Sequence, residues 1–232
     1  HSAGIRTMAF SPCGQRLATA GDDCAVILWE AQTGKLEHRM QGHTQTVTSL
    51  AYSPDGARLA SGGVDRSIRV WDPTTGALLR SIPEKCEELG IAVHFSPTEP
   101  RRLASVASDM LLAGRQWDVD SGEMIKCVED YEFSFLGRDF VEFSPDGSTI
   151  ATASTTRAGD IHLLDAESGT LRLKIVGHHD YVISVAWCGD GSKLASISFD
   201  CTCKVWDAST GARLRTIKFG GETVASLAWG RD

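Results

Sequence analysis

Short runs of β-branched, aromatic and small residues alternate along this chain with turns rich in Gly, Pro, Asp and Ser. Val47–Tyr52 is one such run, and it ends at the turn Pro54-Asp55-Gly56. Residues 58–62 make a short strand of small side chains, and Ser67–Trp71 follows as a third strand. Residues 77–82 come after the Thr75-Gly76 turn and return as an outer strand. No segment sustains a helical period. The inner strands are apolar or small on both faces, as expected of sheets packed between two neighbouring sheets. The pattern predicts an all-β chain of short four-stranded antiparallel units.

The unit repeats. Trp precedes an acidic residue at Trp29-Glu30, Trp71-Asp72, Trp117-Asp118 and Trp206-Asp207, and Leu164-Asp165 fills a fifth slot; the steps are 42, 46, 47 and 42 residues. A second marker runs in phase at Ser11-Pro12, Ser53-Pro54, Ser96-Pro97 and Ser144-Pro145, with Cys188-Gly189 in the fifth place. A third is the turn Thr33-Gly34, Thr75-Gly76, Ser121-Gly122, Ser168-Gly169 and Thr210-Gly211. A period of about 42 residues fits four short strands with their turns, one blade of a β-propeller. With Gly42-His43, Ser53-Pro54-Asp55-Gly56 and Val70-Trp71-Asp72 in register, the chain resembles the WD40-repeat family over essentially its whole length. The resemblance implies a WD40-type β-propeller. The expected blades are residues 1–41, 42–83, 84–129, 130–176 and 177–219, and residues 220–232 form the first strand of a sixth. All of 1–232 is read as one propeller region. Propellers of this family most often have seven blades, so the expectation is a piece of a larger, seven-bladed ring.

Three blades carry a polar set at one spacing: His1, Thr19, Asp23 and Trp29; His43, Ser61, Asp65 and Trp71; His178, Ser196, Asp200 and Trp206. The resemblance implies a buried hydrogen-bond chain from Asp through His and Ser or Thr to Trp. The chemistry suits it, since a buried indole N–H is donor-only and requires an acceptor. A His, Ser and Asp together also invite a hydrolase reading. A catalytic triad, however, occurs once and exposes its nucleophile, whereas this set recurs three times, so no catalytic residue is assigned. Blades 3 and 4 depart from the pattern. Blade 3 keeps Ser105, Asp109 and Trp117 but has Cys86 at the His position, and blade 4 has Ser134, Thr156 and Leu164 at the His, Asp and Trp positions. Both are expected to lack the complete network.

The net charge is −7, with no run of Lys or Arg, and predicts no nucleic-acid partner. No apolar stretch is long enough to span a bilayer, so no membrane insertion is expected. The 7 Cys residues show no metal-binding spacing, and the expectation is free thiols in a reducing, intracellular, cytoplasmic setting. No metal site or cofactor motif is present in the sequence. The connectors that the resemblance places on one rim, residues 83–88 and 129–135, join carboxylates to aromatics. Glu84, Glu87, Glu88, Glu129, Tyr131, Glu132 and Phe133, with Tyr181 and Phe199 at equivalent places in blade 5, are the candidate partner-binding residues. They suit Lys- or Arg-bearing peptides. The competing reading makes the Glu residues a solvated loop and sends Phe133 into the core. The functional expectation is a scaffold that binds protein or peptide partners on its rim without catalysis. The alternatives are a regulatory or sensor region of a larger multidomain signalling protein and, less favoured, a propeller enzyme.

Overall fold

The structure, a computed structural model, describes residues 1–84, 90–107, 114–128, 141–153, 159–220 and 226–229. Every regular element among them is a β-strand. Sheet 1 is β1 (Ile5–Phe10), β2 (Arg16–Gly21), β3 (Ala25–Glu30) and β4 (Leu36–Gln41). Sheet 2 is β5 (Val47–Tyr52), β6 (Leu59–Gly63), β7 (Ser67–Trp71) and β8 (Leu78–Pro83). Sheet 3 is β9 (Ile91–Phe95), β10 (Arg102–Ala107), β11 (Gly114–Asp118) and β12 (Met124–Val128). Sheet 4 is β13 (Val141–Phe143), β14 (Thr149–Ala153), β15 (Ile161–Asp165) and β16 (Leu171–Ile175). Sheet 5 is β17 (Val182–Trp187), β18 (Lys193–Ser198), β19 (Thr202–Asp207) and β20 (Arg213–Lys218). Each is an antiparallel meander, with strands paired in sequence order. The chain forms two compact units, His1–Glu129 with sheets 1–3 and Asp130–Asp232 with sheets 4 and 5.

The local sequence explains each meander. Between the third and fourth strands, an acidic residue, Glu30 in sheet 1 and Asp in the other four, caps a turn that ends in a left-handed Gly. In sheet 2, Asp72 accepts bonds from the Thr74 N–H at 2.7 Å and the Thr75 hydroxyl at 2.8 Å, and Gly76 takes φ 72°. These bonds hold the Asp72 carboxyl below the usual range. The register then slips by one residue at the Trp position, Val70/Trp71 in sheet 2 and Val205/Trp206 in sheet 5, a bulge that sharpens the twist.

The core lies between successive sheets of a unit. Met40 shares a buried cluster with Val47, Leu50 and Trp71. Ile82 does the same with Ile91, Val93 and Trp117, and Ile175 with Val182, Val185 and Trp206. Fully burying one such side chain contributes about 1.5–3 kcal/mol. Sheets 2 and 3 approach closely enough that a Cβ at Gly62 would lie 2.3 Å from the Ile91 carbonyl oxygen. Hydroxyls stitch the same seam: the Ile91 N–H donates to Thr48 Oγ1 at 3.2 Å and the Val93 N–H to Ser49 Oγ at 3.1 Å. In the second unit, Trp187 Nε1 donates to the Glu142 carbonyl at 3.3 Å, and Trp229 Nε1 donates likewise to the Ala186 carbonyl at 2.8 Å. No helix among the described residues is long and apolar enough to cross a membrane.

Candidate functional site

The recurring polar set gathers at one end of the sheets, where the second strand of each meander passes the third. The hydroxyl residue sits on the second strand, the Asp in the turn that follows it and the Trp on the third strand. The His comes just before the first strand. In sheet 2, His43 Nδ1 lies 2.9 Å from Asp65 Oδ1, and His43 Nε2 lies 2.7 Å from Ser61 Oγ. Trp71 Nε1 donates to Ser61 Oγ at 2.8 Å, and the Thr44 N–H donates to Asp65 Oδ2 at 3.0 Å. A neutral His43 protonated on Nδ1 satisfies the whole chain: Trp71 donates to Ser61, Ser61 to His43, and His43 to Asp65.

Sheets 1 and 5 repeat this geometry. His1 Nδ1 lies 2.8 Å from Asp23 Oδ1 and its Nε2 2.7 Å from Thr19 Oγ1, to which Trp29 Nε1 donates at 2.7 Å. His178 Nδ1 lies 2.9 Å from Asp200 Oδ2 and its Nε2 2.7 Å from Ser196 Oγ, to which Trp206 Nε1 donates at 2.7 Å. Burial works against the Asp65 and Asp200 carboxylates. Bonds from His43, Thr44 and Ser67 in one case, and from Thr202, His178, His179 and Lys204 in the other, outweigh it and hold both carboxyls well below the usual range. Burial depresses His178 and outweighs the opposing pull of Asp200, which favours the neutral ring. Ser61 and Ser196 are fully enclosed, so neither presents a nucleophile to solvent.

Sheet 3 corrects the sequence reading of Glu84, which is expected on the binding rim; instead Glu84 is buried and takes the place of the imidazole in a variant of the network. Trp117 Nε1 donates to Ser105 Oγ at 2.8 Å, Ser105 donates to Glu84 Oε1, and Arg115 Nη1 donates to Glu84 Oε2. The carboxylate accepts the serine proton that the imidazole accepts elsewhere, and Arg115 neutralises its charge. Glu84 escapes the spacing search because it directly follows β8 and stands 21 residues before Ser105, where His43 stands 18 before Ser61. A carboxylate so buried and bonded is not offered to a partner.

In sheet 4, Thr152 occupies the hydroxyl position and Leu164 the Trp position, so the indole donor is gone. Thr152 Oγ1 and Asp160 Oδ1 are buried without a hydrogen-bond partner among the described residues, while Asp160 Oδ2 pairs with Lys174 at 2.6 Å. Cys86, Asp109, Ser134 and Thr156, named in the sequence reading of sheets 3 and 4, lie outside the described residues.

Sequence reasoning also missed a cation beside each buried carboxylate. Arg39 lies 3.3 Å from Asp23, Arg69 4.0 Å from Asp65, and Lys204 3.1 Å from Asp200. The available signal was a basic residue two positions before the Trp, as at Arg69, Arg115 and Lys204.

Of the remaining rim candidates, Glu87, Glu88, Glu129, Tyr131, Glu132 and Phe133 lie outside the described residues. Tyr181 and Phe199 are brought together, with the Phe199 N–H donating to the Tyr181 carbonyl at 2.9 Å. Phe199 is exposed and Tyr181 half-buried, at the end of sheet 5 that holds His178 and Asp200. No group of three His, Cys, Asp or Glu among the described residues is arranged to hold a metal ion.

Comparison with known proteins agrees with this architecture. The family model described as WD domain, G-beta repeat matches residues 1–30, 34–72 and 169–207. Those segments carry most of sheets 1, 2 and 5, where the His-centred sets occur. The chain is 28% identical to nuclear distribution protein PAC1 of Arthroderma benhamiae, over 90% of this chain and 37% of that protein. It is 27% identical to nuclear distribution protein nudF of Aspergillus niger, over 99% of this chain and 65% of that protein. It is 37% identical to coronin-7 of Rattus norvegicus, over 49% of this chain and 12% of that protein. The chain thus spans between about a third and two thirds of the length of the two nuclear distribution proteins.

Proposed function

Because this chain is a WD40-repeat protein, we propose that it is a protein-interaction scaffold, without catalysis of its own, that captures protein or peptide partners on the rim where Tyr181 and Phe199 stand. The observation that carries this reading is a division of labour at one end of the sheets. The reactive-looking groups, His43, Ser61, Asp65 and their counterparts, are enclosed and consumed by mutual bonds, while an aromatic side chain is left facing solvent. The enclosed sets act as fasteners, since a fully satisfied buried network rigidifies the frame around it. Exposed aromatics give contact area at low entropic cost. The acidic balance of the chain and the connector residues Glu87, Glu88, Glu129, Tyr131, Glu132 and Phe133 favour basic partners. Free cysteines at the described positions support an intracellular setting.

Affinity capture with quantitative mass spectrometry tests the reading. A rim variant, Tyr181→Ala with Phe199→Ala, and a connector variant, Tyr131→Ala with Glu132→Lys, are compared with the parent chain. The expected result is loss of specific partners at an unchanged melting temperature. Undiminished capture by both variants overturns rim binding.

A further inference from the structure

The seams inside each unit are built alike, so one can be compared with another position by position. The first turn of each meander closes with the N–H of its Ser or Cys on the carbonyl of one residue. That residue is Arg16, Arg58, Arg102 and Lys193 in sheets 1, 2, 3 and 5, but Thr149 in sheet 4. In the seam between sheets 2 and 3, the Arg58 guanidinium lies between two carboxylates. Its Nη2 is 2.7 Å from Asp120 of sheet 3, and its Nη1 is 3.7 Å from Asp55 of its own turn. Arg80 of β8 enters the same seam and donates to the Asp120 carbonyl. Val119, beside the turn-capping Asp118, is buried in the cluster that joins these two sheets.

In the seam between sheets 4 and 5, all three of these side chains are shorter or apolar. Thr149 stands for Arg58, Leu173 for Arg80 and Ala208 for Val119. A cavity of about 460 Å³ takes their place, within the range of small-ligand sites. Leu173, Ala208 and Trp187 form its apolar wall, and Asp146, Asp190 and Asp207 line it. Asp146 is the counterpart of Asp55, so sheet 4 keeps the carboxylate and loses the arginine that faces it in sheet 2. Asp190 adds a second carboxylate where sheet 3 has Thr98, and Ser209 replaces Asp120.

The three carboxylates bond to their own turns. Asp146 accepts from Ser144 and Ser148, Asp190 from Cys188 and Ser192, and Asp207 from Ser209 and Thr210. Those bonds hold all three carboxyls below the usual range, so they are anionic at neutral pH. None forms an ion pair among the described residues. Arg172, the cation in the wall, pairs with Asp165 instead and donates to Thr149 Oγ1 at 2.8 Å. Lys193 is exposed and acts on Asp190 without pairing with it.

We propose that this cavity receives an arginine side chain of a partner protein or peptide, seated between sheets 4 and 5 as Arg58 is seated between sheets 2 and 3. The chain itself supplies the precedent for the occupant, a guanidinium held by the turn carboxylate of the earlier sheet and by the facing sheet. A planar guanidinium suits two carboxylates better than an ammonium does. The Trp187 indole, where sheet 3 has Phe95, is the side chain to which a cation is most strongly attracted. The cavity lies among the turns at the end of the sheets opposite Tyr181 and Phe199, so it adds a second contact and does not rest on the rim reading.

NMR on the full chain tests this, with the Trp187 indole N–H resonance followed as N-acetyl-arginine amide is added. A saturable shift is expected. N-acetyl-citrulline amide has nearly the same shape without the charge, and its affinity is expected to be lower by about tenfold or more. Thr149→Arg returns the missing side chain and is expected to abolish the response with the fold intact. Asp146→Asn keeps an oxygen for Ser144 and Ser148 and deletes the charge; it is expected to weaken binding severalfold, and it carries the test should Thr149→Arg fold poorly. A parent without a saturable shift overturns the proposal. So does equal affinity for the citrulline amide or for N-acetyl-lysine amide, or a full response in a folded Thr149→Arg or Asp146→Asn variant.

Discussion

Sheets 4 and 5 lie in the same unit and have the same four-stranded frame, yet they are fastened differently. In sheet 5, Trp206, Ser196, His178, Asp200 and Lys204 form a continuous buried chain in which each donor finds an acceptor. In sheet 4, Leu164 removes the indole, and the hydroxyl of Thr152 is buried with no partner among the described residues. Both sheets nonetheless make complete ladders with the same bulge before the fourth strand. Apolar alternation and turn chemistry therefore suffice to make the frame, and the polar chain is a separate fastening laid over it. Sheet 3 sharpens the contrast, because there a carboxylate and an arginine replace the imidazole and aspartate and leave the rest of the chain intact.

The largest effect is expected where that replacement is broken. Glu84→Ala removes the carboxylate that pairs with the mostly buried Arg115 guanidinium and the acceptor of Ser105. Breaking a buried pair from one side costs about 3–5 kcal/mol, read as a lowered urea midpoint. A change under about 1 kcal/mol would mean that Glu84 is a surface residue after all. Next comes sheet 5. Ser196→Ala leaves both the Trp206 N–H and His178 Nε2 without partners, and a stranded buried group costs about 1–3 kcal/mol. A variant as stable as the parent would show that the sheet 5 chain fastens nothing.

The comparison also has a pH axis. His178 is depressed by burial, with Asp200 opposing and Lys204 and His179 adding to the depression. A histidine whose folded value lies below its unfolded value contributes stability above about pH 6.5, and that contribution falls away as the pH drops below it. Asp65 and Asp200 are also depressed, so their contribution is present above about pH 3.9 and is lost further down. Stability is expected to fall first below neutrality and again in strong acid. Ring resonances of His178 followed by NMR should stay those of the neutral imidazole past the ordinary histidine midpoint. Titration at or above that midpoint would sink the assignment of a neutral ring.

The frame was legible in the sequence because turn residues and strand periods are local. In sheet 2 the strands at 47–52 and 67–71 fall where the pattern places them, and β6 and β8 start one residue later than expected. The third-strand Trp residues and their hydroxyl partners were legible because they recur at a fixed separation. Glu84 was not, because its partnership with Ser105 depends on where the chain leaves β8 and uses a different acceptor chemistry. The cations were hidden for another reason. Lys204 stands on a strand that alternates polar and apolar residues, which reads as solvent-facing, but its ammonium turns back onto the Gly177 carbonyl at 2.7 Å and onto Asp200. Lys204 is therefore buried despite its polar place in that alternation.

The smallest expected effect is the most specific to the contrast between the two sheets. If the polar chain is a fastening added to a self-sufficient frame, then its remnant in sheet 4 is a burden on that sheet. Thr152→Val keeps the β-branched shape and deletes a hydroxyl that has no partner among the described residues. Recovering the desolvation of one unsatisfied hydroxyl should raise stability by up to about 1 kcal/mol. The same class of change at Ser61 or Thr19, Ser61→Ala or Thr19→Val, should lower it, since each of those oxygens accepts an indole N–H and bonds an imidazole. Thr152→Val and Thr19→Val are one and the same change at equivalent register positions of second strands, so opposite signs there report the partners of the hydroxyl rather than the shape of the side chain. Equal destabilisation at Thr152 and Ser61 would mean that sheet 4 carries its own complete network, and the separation of frame from fastening would fail.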